Sequence, residues 1–69
     1  MVLGDGVSDA RAGLEAAGFQ VYVVRSANVS GLSGCRDPNV TASGFVWRED
    51  PCAGELAGRG STVTIAANP

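Results

Sequence analysis

Cys35 and Cys52 lie within a chain of only 69 residues that contains no histidine. A chain this short buries only about 60% of the surface it exposes when unfolded, so its core is marginal without a staple. Two readings of the pair are open: a disulfide, or two free thiols. A bridge would close a loop of about 17 residues and contribute on the order of 3 kcal/mol by restricting the unfolded chain. That is large beside so small a core, and a Cys35–Cys52 disulfide is the expectation. It would place the chain in an oxidising, extracytoplasmic compartment. With no histidine and no C-x-x-C spacing, the usual zinc ligand sets are missing, and neither a metal nor a cofactor is expected.

The length allows one domain, residues 1–69, and a hydrophobic content of 45% is ordinary for a globular one. Net charge is −2, and all five cations are arginines: Arg11, Arg25, Arg36, Arg48 and Arg59. They are scattered, so no basic stripe is available for nucleic acid. No apolar run of about 18 residues is present to insert in a membrane. Domain-like sequence follows Met1 directly, without a signal peptide, and reads as a module excised from a longer protein. As a free module it is expected to be a monomer.

Val7, Ala10, Leu14 and Ala17 recur at helical spacing and predict a helix over 7–17. Asp5 is the expected N-cap, Asp9 meets the positive end of the dipole, and Gly18 is the left-handed stop. Residues 19–24 are β-branched and aromatic and predict a strand with Phe19, Val21 and Val23 on one face. The stretch 25–43 is rich in Ser, Gly and Asn and carries Cys35; it reads as a long loop with room for a short helical turn or a further strand. A second strand over 44–49 is stopped by Asp50 and Pro51. A third, over 61–66, sends Val63 and Ile65 to the core and Thr62 and Thr64 to the other side. The expected fold is α+β: one helix on a small, mainly antiparallel three-stranded sheet, its long loop tethered by the disulfide.

The chemistry is sparse. Without histidine no Ser-His or Cys-His nucleophile can be built, so the fragment is not expected to be an enzyme. Glu49 and Asp50 are adjacent on a strand, project apart, and read as solvated charges at its end. Gly4-Asp5-Gly6 reads as a turn, being only half of a phosphate-loop signature. Asn28-Val29-Ser30 and Asn39-Val40-Thr41 match the glycosylation sequon by composition of the loop.

Three stretches resemble the PASTA domain, a module found outside the membrane on bacterial penicillin-binding proteins and on certain Ser/Thr kinases. Val2-Leu3-Gly4, then Ala10, Leu14 and Gly18-Phe19, resemble its opening. Gly44, Val46 and Pro51 are similar to its second motif. Gly54, then Gly60-Ser61-Thr62-Val63-Thr64-Ile65, resemble its closing motif. The spacing from Gly44 to Val63 runs in register without a gap. The long 25–43 loop and the cysteine pair depart from the family's common pattern. The chain is most like the C-terminal module of an actinobacterial, mycobacterial-type, bifunctional class A penicillin-binding protein. The resemblance implies a parent transglycosylase/transpeptidase of peptidoglycan synthesis. It implies contact with peptidoglycan fragments or β-lactams, or positioning of neighbouring domains. The alternatives are a ligand-free spacer or interaction module and a sensor repeat of a Ser/Thr kinase.

The candidate ligand-binding residues are Tyr22, Phe45, Trp47, Arg48 and Arg59. By strand alternation Phe45 and Trp47 share one face and Val46 and Arg48 the other. The resemblance puts Val46 inward, leaving Phe45 and Trp47 on the open face beside Tyr22, an aromatic patch suited to sugar stacking or docking. Hydrophobicity alone argues the reverse, with Trp47 in the core or under the long loop and Arg48 exposed. A shift of one residue in register decides between them. Arg48 and Arg59 are either partners for a peptide-stem carboxylate or plain surface charge.

Overall fold

The computed structural model describes residues 2–52, 55 and 58–69. Gly54, one of the motif glycines, lies outside the described residues. Along the chain run α1 (Val7–Ala16), β1 (Gln20–Arg25), β2 (Cys35–Arg36), β3 (Val46–Asp50) and β4 (Thr62–Ala67).

Helix α1 starts from Gly6, which has extended backbone and no side-chain cap. Asp5 is not the N-cap. Its carbonyl goes to the sheet instead, accepting from Val46 N–H at 2.9 Å, and its own N–H closes a local turn on Val2 O at 3.0 Å. Asp9 does occupy the first turn. At the other end Gly18, at φ +96°, donates to Glu15 O, and Phe19 N–H reaches back to Leu14 O. This pair of bonds is a Schellman stop, which needs a left-handed residue at the glycine. Ala10 is buried and Val7 and Leu14 pack beside it, but Ala17 is the exposed C-cap rather than part of the apolar face.

The sheet has four strands in the order β1-β4-β3-β2. It is mixed rather than mainly antiparallel and three-stranded: β1 runs parallel to β4 along its whole length, from Gln20↔Thr62 to Arg25↔Ala67. β3 is antiparallel to both β4 and β2. The physical reason lies in the long loop. β2 runs in the same direction as β1, so residues 26–34 must carry the chain back across the sheet before β2 begins. The helix occupies one face, and the returning strap crosses the other.

Val2, Ala10, Val46, Val63, Ile65 and Ala67 form the core on the helix side, flanked by Phe19, Val21 and Val23. Fully burying side chains such as Val46 and Ile65 contributes roughly 1.5–3 kcal/mol each. Trp47 and Ala66 are equally buried but belong to the opposite face. Val46 and Trp47 are both inaccessible because the helix covers one face of the sheet and the strap the other. Val46 pairs with Ala67 and Arg48 with the adjacent Ala66, so Trp47 is the extra residue of a β-bulge. The bulge breaks the alternation, and Val46 and Arg48 do not share a face as strict period two requires.

The disulfide is formed. Cys35 and Cys52 have Cα atoms 5.1 Å apart, and no free cysteine remains. Cys35 sits opposite Glu49 on β2, while Cys52 follows the Asp50–Pro51 bond at the end of β3. The bridge thereby ties a two-residue strand, which has little pairing of its own, to its neighbour.

Gly34, at the end of the strap, has φ +87°, and a Cβ there would lie 2.7 Å from Asp50 Cβ and 2.9 Å from Asp50 Cα. Both atoms are fixed by the backbone of β3 and cannot give way cheaply. Gly34→Ala is expected to lower stability by about 2 kcal/mol, from left-handed strain plus the clash. Urea denaturation followed by circular dichroism checks this, and an unchanged midpoint would show that the strap is not held against β3.

Candidate functional site

The strap places the candidate residues. Ser26, just after β1, accepts a hydrogen bond from Trp47 Nε1 at 2.8 Å, so the indole is covered and its one polar atom satisfied. Further along, Ser33 O accepts from Arg48 Nε at 2.7 Å, and Ser33 Oγ donates to Asp50 Oδ2 at 2.7 Å. The same Asp50 oxygen lies 3.2 Å from Arg48 Nη2 in an ion pair whose arginine side chain is only 13% exposed. Arg48, Ser33 and Asp50 therefore form a closed clip that pins the strap to β3. The guanidinium's hydrogen-bonding capacity is largely used inside the molecule.

Asn28 holds the next layer. Its Nδ2 donates to both Asp37 O and Val40 O, and its Oδ1 accepts from Arg36 Nε at 2.7 Å. Asn68 Nδ2 donates to the same Val40 carbonyl. The first sequon asparagine is thus committed to joining the strap to the turn before β3. The second, Asn39, is exposed, with its N–H on Asp37 Oδ1.

Glu49 and Asp50 project to opposite faces, but they are not solvated charges at a strand end. Glu49 is 3% exposed on the helix side, where its Oε1 accepts from Val2 N–H at 3.0 Å, and Asp50 belongs to the clip. The leading residues need acceptors where they cross the end of β3, and Glu49 supplies one.

The remaining candidates are separated. Tyr22 stands on β1 opposite Thr64, on the strap side, and is 62% exposed. Phe45 precedes β3, bridges to Gly6 and is 43% exposed. It lines a cavity of about 240 Å³ with Gly4, Asn39, Val40, Thr41 and Ala42. Arg59 is exposed and lies against Gly18, whose carbonyl accepts from Gly60 N–H at 2.7 Å. The aromatic patch of Tyr22, Phe45 and Trp47 is therefore not assembled on one open face, since Trp47 is buried. Another shallow cavity, about 180 Å³, is lined by Val7, Ser8, Arg11, Val23 and Arg25. Both are smaller than the roughly 300–1,000 Å³ of ordinary ligand pockets.

Among the described residues no three His, Cys, Asp or Glu side chains gather as metal ligands, and no helix is long and apolar enough to cross a membrane. The functional weight that sequence reasoning missed falls on Ser33, Asn28 and Asp50. Ser and Asn in a loop carry no local signal of a partner that is distant in sequence. Compared with protein-family models, with curated proteins and with solved structures, the chain shows no match in any of the three.

Proposed function

We propose that this chain is a non-catalytic module of the PASTA type, working on the outer side of the membrane as part of a penicillin-binding protein that builds and cross-links peptidoglycan. Its task there is to position the domains beside it rather than to hold a ligand of its own. One observation carries the choice between those two tasks: of the five candidate binding residues, Trp47 is covered by the strap and Arg48 is closed into the clip with Ser33 and Asp50. A carboxylate from a peptide stem would have to displace Asp50 and Ser33 to reach Arg48, a poor exchange for a group already paired.

Two further features support the module type and its location. Gly4, Gly18, Gly44 and Gly60, at the positions that carry the resemblance, all have positive φ, where a side chain is strained. The Cys35–Cys52 bridge is consistent with an oxidising compartment.

Titration of the labelled module with a muropeptide and with a β-lactam, followed by backbone amide shifts, tests the reading. No saturable shift is expected at millimolar ligand. Saturable shifts converging on Tyr22, Phe45 and Arg59 would replace positioning with binding. A cytoplasmic kinase domain encoded on the same chain would overturn the assignment to a penicillin-binding protein.

A further inference from the structure

β1 is an outermost strand, bonded on one side only, to β4. Gln20 N–H donates to Ser61 O and Ser26 N–H to Ala67 O, so the even-numbered residues of this strand turn their backbone groups toward β4. Strand alternation then turns the N–H and C=O of Val21, Val23 and Arg25 outward. No hydrogen bond from another described segment reaches those groups. Over Gln20–Val24 the usual protections of an edge are missing, with no proline, no charged side chain and no bulge, and the strand's one charge, Arg25, stands at its end. Val21 and Val23 stay only half-buried although their β4 partners Val63 and Ile65 are buried, and Tyr22 is the most exposed of the large hydrophobic side chains among the described residues. The opposite edge is different, since β2 has only two residues.

We propose that β1 pairs antiparallel with β1 of a second copy of this chain across a two-fold axis, joining the two four-stranded sheets into one. The geometry selects the register. In an antiparallel pair, residues directly opposite face the same side, and only outward-turned residues can exchange two backbone bonds. An axis at Tyr22 satisfies both conditions. Val21 of each copy exchanges its bonds with Val23 of the other, and Gln20 faces Val24. Tyr22 meets its own counterpart in the closely spaced, non-hydrogen-bonded position, where aromatic pairs add to pairing. An axis at Val23 would instead set Val21 against Arg25 and leave the tyrosines unmatched.

The occupant is a second copy because the edge is self-complementary. Residues 20–24 carry no charge, so no like charges meet across the axis and nothing there selects a charged partner segment. A two-residue β2 offers β1 no comparable strand, so head-to-tail growth is blocked and the contact closes as a dimer. The expectation of a monomer takes no account of this edge, because alternation in a sequence does not say which strand ends outermost. The inference does not depend on the PASTA reading.

The pairing engages only the residues of one six-residue strand a side, against the roughly 20–30 a side of a stable interface, so the dimer is weak, formed at about 1 mM protein and dissociated at about 10 µM. Sedimentation equilibrium at the two concentrations should show the mass doubling. Amide hydrogen exchange should slow at Val21 and Val23 in the concentrated sample only, while Tyr22 and Val24 are protected in both. Tyr22→Lys sets two cations opposite each other at an exposed position and should reduce association at least tenfold with the fold retained. A single-chain mass at ~1 mM overturns the proposal. So does a dimer in which Val21 and Val23 exchange as they do in the dilute protein.

Discussion

Trp47→Ala is expected to lower the unfolding free energy by about 3–5 kcal/mol, the range for removing a fully buried large aromatic. The indole is 0% exposed and fills the space between the sheet and the returning strap. Alanine would leave a cavity there and orphan the Ser26 carbonyl. A domain of this size has only some 3–10 kcal/mol in total, so the variant should be largely unfolded or barely stable at room temperature. Trp47 is the only tryptophan, so fluorescence disappears with it and circular dichroism under urea is the suitable measurement. Trp47→Phe keeps much of the packing but loses the indole donor, and should cost less than the alanine change. A loss below about 1 kcal/mol for Trp47→Ala would mean that the strap does not depend on the ring beneath it.

Opening the Cys35–Cys52 bridge is the second large effect. The double substitution Cys35→Ser with Cys52→Ser is expected to cost about 3 kcal/mol, acting mainly by releasing the unfolded chain. The folded state should respond locally as well. β2 is held by two residue pairs and the bridge, and Ser33 and Gly34, which anchor the strap, precede Cys35 directly. Releasing β2 loosens that anchor, and the emission of Trp47 should shift to the red before the helix signal is lost. Alkylation without reductant followed by mass measurement should find no free thiol in the native protein. Labelling of both cysteines, or an unchanged denaturation midpoint on reduction, would remove the staple from the account of stability.

What could be read from the sequence follows from how local each feature is. The alternation of Val63 and Ile65 against Thr62 and Thr64, the face formed by Phe19, Val21 and Val23, and the stop at Gly18 each depend on neighbours a few residues away. The structure has them as the pattern implies. Strand direction has no such local mark. Nothing in the alternation of β1 distinguishes a parallel from an antiparallel partner, and β2 is too short to have a pattern. Alternation puts Val46 and Trp47 on opposite faces, and both are buried because the strap covers the second face, which nothing local to the strand reports. The bulge that brings Arg48 onto the face of Ala66 likewise leaves no local mark. The same distance effect hides the clip. Arg48 reads as a free cation until Ser33, fifteen residues earlier, is laid against it. Asp5 failed as an N-cap for a related reason: its backbone was claimed by Val46, more than half the chain away.

β4, one of the two inner strands of the sheet, is the last of the described elements to be synthesised. β4 separates β1 from β3 and bonds to both, so a growing chain that has reached Ser61 has no sheet to assemble except the small β2–β3 hairpin. The pairing Gln20↔Thr62 must close across most of the chain before it is rewarded, which slows the search for the native topology. During that interval the apolar residues of β1 and α1 stay uncovered, and the cysteines remain free to meet on the hairpin that is already there. Closure of the Cys35–Cys52 bridge can therefore precede assembly of the full sheet, which waits on β4.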